Sequence, residues 1–261
     1  MKKPKSSIED LKDIFEKNIK ARHITEPLYS FDSSADAQQV KKIMYEKDYD
    51  VIGIRDGGII QGYAVRGDLD KGQLGIYFRN FNEQEILPDN ATVDEVFDKI
   101  KIYDHIFITA FDRVSGIISP GDLEKIPVRM WLFSLVSLIE MQMLRIIRNK
   151  FPGNSWKKFI SSEERLSDAE EIFKELRNKN KAIELVDCLQ FCDKRDIILE
   201  NPDILKQLKY SKNKFDELLK DLENLRNNLA HAQSIITYQW PKAITLSKTA
   251  EKLLIRFEAI N

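Results

Sequence analysis

The sequence predicts a chain of two halves, α+β at the N-terminal end and all-helical at the C-terminal end. Three observations carry this. Short β-branched runs alternate with short helical runs before residue 126. A pattern of roughly fifty residues occurs twice within that region. From residue 127 onward, apolar residues recur at spacings of three and four.

The bulk numbers agree with such a chain. Its 261 residues suffice for two domains, and 43% hydrophobic with 32% charged residues marks a folded protein rather than a disordered one. Lys+Arg 41 against Asp+Glu 42 gives a net charge of -1, so no overall basic field advertises nucleic-acid binding. A local patch would suffice.

The first residues, "MKKPKSSIEDLKDIFEKN", lack the apolar core of a signal peptide, and residues 1–23 read as an N-terminal helix. The most apolar stretch, "MWLFSLVSLIEMQMLRII" (130–147), is interrupted by Glu140, Gln142 and Arg145. A membrane span avoids such residues, so a buried helix is expected. Cys188 and Cys192 lie four apart in a helical pattern that suits neither a disulfide nor a metal site. They read as small buried residues of a cytoplasmic protein.

In the first half, "YDVIGIRDGGIIQGYAV" (49–65) reads as two strands joined at Asp56-Gly57-Gly58, where glycine accepts positive φ. "DHIFITAFDRVSGIIS" (104–119) repeats the plan with a turn at 111–114. A helix precedes each hairpin: "SADAQQVKKIMYEKD" with Ser34 as N-cap, and "TVDEVFDKIKI" with Thr92 and Glu95 as a capping box. The hairpins end alike, on "GYAVRGDL" (62–69) and "GIISPGDL" (116–123). Two such helix–hairpin–helix units, each with one apolar sheet face, would pack as a pseudo-symmetric pair.

In the second half, helical spacing covers 128–151, 168–178, 182–199, 212–232 and 242–260. Breaks fall at 152–154, 201–202 and 240–241, where Pro and Gly end helices. A bundle of about five antiparallel helices is expected.

In "GIISPGDL", Ser119 reads as an N-cap, Pro120 as the first helical residue and Asp122 as a first-turn acid. Free backbone N–H groups and Ser119 Oγ suit a phosphate, and the carboxylate suits two ribose hydroxyls. A plain capped helix explains one copy equally well. The second copy shifts the balance, because each unit resembles a CBS domain. Residues 24–126 resemble a tandem CBS pair, about 24–72 and 85–126. The family's adenosine-binding signature is glycine, two hydrophobics, Ser/Thr, two residues, aspartate. Gly116, Ile117, Ile118, Ser119 and Asp122 match it in full; in the first copy Gly62 and Asp68 match, and Val65 replaces the hydroxyl residue. Arg66 is the candidate phosphate contact there. The resemblance implies an adenine nucleotide such as AMP or ATP as a regulatory ligand between the sheets, with the Asp122 site the better formed.

"LENLRNNLAHAQ" (222–233) places Asn224, Asn227 and Asn228, all poor helix formers, in a helical pattern around Arg226 and His231. Phe215, Leu218, Leu222, Leu225, Leu229, Ala232 and Ile236 form its apolar stripe. Arg226 and His231 are five apart, so on a straight helix they point about 140° apart. Two copies meeting across a twofold axis would bring paired arginines and histidines together. Histidine moves protons near neutral pH and arginine holds phosphate, which suits metal-free RNA cleavage by the 2′-hydroxyl. An Arg in an ion pair and a partly buried His satisfied by Asn227 is the plainer reading of the same residues.

"RNNLAH" resembles the HEPN motif, Arg-x4-6-His with a polar residue after the arginine, and residues 127–261 resemble a HEPN-like helical bundle. The resemblance implies dimerisation through this helix. It also implies His231 as general acid/base, Arg226 on the scissile phosphate and Asn227 orienting them. Glu140, a carboxylate among apolar neighbours, would pair with Arg226 or Arg145, or else face water. His23 and His105 have no supporting constellation and read as structural. The basic stretches "KNIKARH" and "RNKFPGNSWKK" suit either RNA contact or solvated helix ends.

Together these resemblances imply an α+β CBS pair followed by an all-α HEPN bundle. The implied function is a nucleotide-sensing, metal-independent endoribonuclease of the stress or phage-defence type. It would be a cytoplasmic homodimer that needs no cofactor for catalysis and acts on RNA rather than DNA or membrane. The alternative is a non-catalytic dimeric regulator that binds a protein or RNA partner through the bundle. Nucleotidyl transfer is disfavoured, because no Gly-Ser signature with a paired-aspartate motif is present.

Overall fold

The computed structural model describes residues 6–160, 162–179, 181–231, 234 and 240–260. Two compact units result: Glu16–Val128 is one, and Met1–Phe15 with Arg129–Asn261 is the other. The first is α+β and the second all-helical, as the patterning implied.

In the α+β unit, strands β1 (Glu26–Pro27) and β2 (Ser30–Asp32) lead into helix α2 (Ala37–Lys47). Helix α1 (Ile8–Asn18) precedes them. The hairpin β3 (Val51–Asp56) and β4 (Ile59–Val65) follows, closed by Gly57 and Gly58 at φ 56° and 78°. The second copy runs β5 (Ile86–Pro88), α3 (Val93–Ile100), β6 (Ile106–Ala110) and β7 (Arg113–Ile118). Its turn is Phe111-Asp112, both with positive φ, in the twisted two-residue hairpin that usually selects Asn-Gly.

The sheets form in the orders β2-β3-β4 and β1-β7-β6-β5. The outermost strand of the second sheet therefore comes from the lead-in to the first repeat: Glu26 and Pro27 pair with Ile117 and Gly116. The mirror contact is shorter. Tyr63 and Arg79 exchange both backbone hydrogen bonds, so the lead-in to the second repeat lies against the first hairpin. This explains both motif glycines. A Cβ at Gly62 would overlap the Arg79 carbonyl and the Phe78 ring, and one at Gly116 would overlap the Thr25 methyl.

Apolar residues sort by face. Val40, Met44, Ile52, Ile54, Ala64, Leu69 and Leu74 pack the first repeat, while Leu28, Tyr63 and Phe107 form a second cluster with Phe81 and Ile117 against it. Thr92 caps α3 as expected: its Oγ accepts from Glu95 N–H, and the Glu95 carboxylate accepts from Thr92 N–H. Helix α2 differs. Its N-cap is Asp36, whose carboxylate accepts from Gln39 N–H at 2.9 Å, because Ser33 and Ser34 are used in the preceding turn. The expected second helices of the repeats also shrink. Pro120–Glu124 is a single 3₁₀ stretch, and the residues after Val65 form a turn.

The helical unit contains α4 (Ile126–Lys150, whose first residues belong to the other unit), α5 (Glu163–Asn178), α6 (Phe191–Leu199), α7 (Pro202–Leu208), α8 (Lys212–Ala230) and α9 (Trp240–Ile260). Helix α4 is long and apolar enough to cross a membrane by composition, but 56% of its apolar window is buried within the protein. Trp131, Leu135, Ile139, Met143, Ile146 and Ile147 all point inward, and Gln142 is fully buried. From α1, Phe15 packs on Trp131 at 5.2 Å between ring centroids, and Ile8 N–H donates to Glu258.

Two boundaries differ from the periodicity. The expected 182–199 helix is broken: Leu185–Cys188 is 3₁₀, and α6 starts afresh at Phe191 with Asp193 accepting from Gln190 N–H. Cys188 and Cys192 therefore sit in separate elements, both as free thiols. Asn201-Pro202 not only ends α6 but starts α7, with Asn201 accepting from Ile204 N–H. Helix α8 buries Phe215, Leu218, Leu222, Leu225 and Leu229 of the expected stripe, together with Leu219. Ala232 and Ile236 lie outside the described residues.

Candidate functional site

Two places gather the residues that the sequence singled out, one in each unit. The first is a cleft of about 660 Å³ in the α+β unit, walled by Tyr29, Tyr49, Ile117 and the Ser119–Asp122 turn. Ser119 and Asp122 form the expected capping box: Ser119 N–H and Oγ–H both donate to Asp122 Oδ2, at 2.7 and 3.0 Å. The other carboxylate oxygen takes Lys125 Nζ at 2.9 Å, and the same ammonium reaches Glu26 at 2.5 Å and the Ile24 carbonyl at 2.7 Å. Burial pulls the Lys125 pKa down, but the bonds to Glu26 and Asp122 outweigh it and leave the group above its ordinary value.

The first copy is arranged differently. Asp68 accepts from Arg79 Nη2 at 2.5 Å, and this bond raises the arginine's pKa. Arg66 is held by Asp50 at 2.5 Å and Asp48 at 3.4 Å, with its guanidinium over the Tyr45 ring. The space beside Asp68 is taken up by aromatic contacts: Tyr63 stacks on Phe81 at 5.7 Å, and both lie against Phe107. His105 joins this group edge-on to Tyr63 and Phe107 and also lines the cleft. Burial pushes its imidazole pKa down, so it is neutral at pH 7.

The second place is the end of α8. Arg226 Nη1 meets Glu140 Oε2 at 3.1 Å, one of the two pairings expected for Glu140. Its Nε and Nη2 donate to Asn227 Oδ1 at 3.3 and 3.0 Å, and its guanidinium lies 5.5 Å from the Phe191 ring centroid. Three neighbours thus fix one cation. His231 is not inside the helix: it is the C-cap residue, exposed, with its N–H donating to the Asn227 carbonyl at 3.0 Å. The plainer reading of a His held by Asn227 is met by the backbone alone; the Asn227 side chain serves Arg226.

Two residues here escaped the sequence reading. Lys194, almost fully buried on α6, donates to Glu140 Oε1 and to the Leu189 carbonyl, each at 2.7 Å. Glu140 therefore bridges a lysine and an arginine. Arg129 donates to the Asn228 and Leu229 carbonyls at 3.4 and 3.0 Å, a cation on the C-terminal end of α8. An Arg or Lys late in an apolar pattern is the available signal, but its partners lie 54 to 100 residues away.

No family model matches the chain, and no curated protein matches it. Solved structures do. A hemolysin-like protein containing a CBS domain, from Oenococcus oeni, is 16% identical over 45% of this chain and 96% of its own, with a TM-score of 0.35. The CBS domain of a bacterial CNNM/CorC family Mg2+ transporter, in complex with ATP, is 12% identical over 46% and 95%, with a TM-score of 0.36. A CBS domain protein from Thermoplasma acidophilum is 15% identical over 44% and 75%, with a TM-score of 0.35.

Proposed function

We propose that the α+β unit is a CBS pair that binds an adenine nucleotide, AMP, ATP or a relative, and that the helical unit is a HEPN-type ribonuclease working as a cytoplasmic homodimer. The nucleotide regulates cleavage, and the setting is stress or phage defence. The observation that carries the ribonuclease reading is the end of α8, where Arg226 is oriented by Glu140 and Asn227 while His231 stands exposed at the helix terminus. The repeated Gly-Asp-Leu ends and the cleft beside Ser119 and Asp122 support the nucleotide reading.

Two α8 ends from two copies meet around one RNA strand. One His231 takes the proton from the 2′-hydroxyl as the 2′-oxygen bonds to phosphorus. The P–O5′ bond breaks, and the second His231 gives a proton to the leaving 5′-oxygen. The guanidinium of Arg226 holds the phosphate oxygens on which charge develops. The products carry a 2′,3′-cyclic phosphate and a 5′-hydroxyl.

The test is cleavage of a mixed RNA pool by wild type and His231→Ala, in EDTA, with and without AMP and ATP. Cyclic-phosphate ends from wild type alone are expected, at a rate that the nucleotide changes. Because His231 is exposed, the variant keeps the wild-type melting temperature. Equal cutting by both proteins, or none by either, sinks the ribonuclease.

One observation favours a second reading, a non-catalytic dimeric regulator that binds a protein or RNA through the bundle. Arg226 is already neutralised by Glu140, so its charge is matched without a phosphate. A folded dimer that never cuts, yet binds RNA or protein at α8, is the expected outcome in that case.

A further inference from the structure

The cleft beside Ser119 has the wrong charge for a bare phosphate chain. Five of its lining residues are carboxylates: Glu26, Asp48, Asp50, Asp104 and Asp122. Among the described residues no lysine or arginine lines it, and the histidine that does, His105, is kept neutral by burial. Two cations touch these carboxylates from behind. Lys125 is shared between Glu26 and Asp122, and Arg66 between Asp48 and Asp50. Each cation is thus matched by two acids, which leaves the cleft net negative and no cation in surplus.

The donors that a phosphate would need are also engaged. Ser119 N–H and Oγ–H both point at Asp122, and the Asp122 N–H donates back to the Ser119 carbonyl. A phosphate entering here would face carboxylates while displacing a complete capping box, at the loss of hydrogen bonds that are hard to replace in a buried turn. The aromatic walls point the other way. Tyr29 and Tyr49 lie 5.6 Å apart between centroids, and such faces accept both a flat base and a cation.

We infer that the ligand of this cleft is an adenosyl compound whose 5′ side carries positive charge instead of phosphate. This rests on reading the cleft as the adenosine site and narrows what that site selects. A sulfonium or ammonium on the 5′ side meets the carboxylates that repel a phosphate, and a flat adenine meets the tyrosines.

The experiment is calorimetric titration of the full chain with adenosine, S-adenosylmethionine, AMP and ATP, each in EDTA at low ionic strength, then in 0.5 M salt (roughly, a Debye length of 4 Å). S-adenosylmethionine is expected to bind at least about tenfold more tightly than AMP, with adenosine between them and the gap narrowing in salt. Asp104→Asn, which leaves Lys125 and Arg66 their partners, should weaken S-adenosylmethionine and strengthen AMP. AMP or ATP binding as tightly as S-adenosylmethionine in EDTA overturns the inference and leaves the nucleotide reading standing. ATP binding tightly only with added magnesium also overturns it, in favour of a metal-bridged nucleotide. Binding of none of the four removes the adenosine site itself. The ribonuclease assay is untouched by any of these results.

Discussion

Lys194 Nζ lies 2.7 Å from one oxygen of Glu140, and Arg226 Nη1 lies 3.1 Å from the other. One carboxylate therefore holds a buried ammonium and an accessible guanidinium at once. Removing it should be far worse than removing either cation, because a buried lysine would be left with only the Leu189 carbonyl. Glu140→Ala is expected to lower unfolding stability by about 3 kcal/mol or more. Lys194→Met, which leaves Glu140 paired to Arg226, should cost about 1 kcal/mol, and the double variant less than the sum. Urea titrations of the three proteins check this; additivity would show that the bridge is not a unit.

The Phe111-Asp112 turn holds two side-chain-bearing residues in the left-handed region, with Phe111 fully exposed. Each costs about 1 kcal/mol relative to glycine. Asp112→Gly should therefore raise the stability of the α+β unit by roughly 0.5–1 kcal/mol after the added flexibility of the unfolded chain is counted. Thermal unfolding followed by circular dichroism reads the change, and a lower melting temperature would refute it.

The two motif glycines should respond differently to alanine. At Gly62 the new Cβ meets the backbone carbonyl of Arg79, which cannot turn away, and Gly62→Ala is expected to cost about 2 kcal/mol. At Gly116 the nearest atom is the Thr25 side-chain methyl. Thr25→Ser removes that methyl and retains the hydroxyl that donates to the Ala21 carbonyl. It should rescue Gly116→Ala in a melting experiment and leave Gly62→Ala unrescued.

His105 gives the α+β unit a defined acid sensitivity. Burial lowers its pKa in the folded state, so the unfolded chain binds the proton first as pH falls. The stability is complete above the ordinary histidine value of about 6.5 and declines as pH falls through the lower folded value. His105→Phe should flatten the loss between neutral pH and about pH 5. Melting curves across that window decide it, and equal slopes for both proteins would exclude His105 as the cause.

Much of the fold was legible because its signals are local. Gly57-Gly58, the Thr92–Glu95 box and the alternating strands declare themselves within a few residues, and the repeated Gly-Asp-Leu ends revealed the two copies. The apolar face of α8 was equally readable. Ser34 was the wrong cap because three acceptors crowd within four positions, and the backbone turn decides among them. The 182–199 helix was misread because its apolar spacing runs through a break made by a capping box and by Lys194 bonding the Leu189 carbonyl. At α8, the Arg226–Glu140 pair was among the expected partners, but Lys194 and Arg129 were not visible. Their roles depend on contacts between distant helices, which no periodicity records.

The exchanged lead-ins have a consequence for how such a unit came to exist. Neither repeat completes its own sheet: residues 26–27 finish the second hairpin, and Arg79 lies along the first. A solitary repeat would leave a strand edge open to self-association, and would find closure only by trading lead-ins with a twin. Joining two copies in one chain makes that trade intramolecular and permanent. It also frees the copies to diverge, so that one keeps an open cleft and the other fills its counterpart with Tyr63, Phe81 and Phe107.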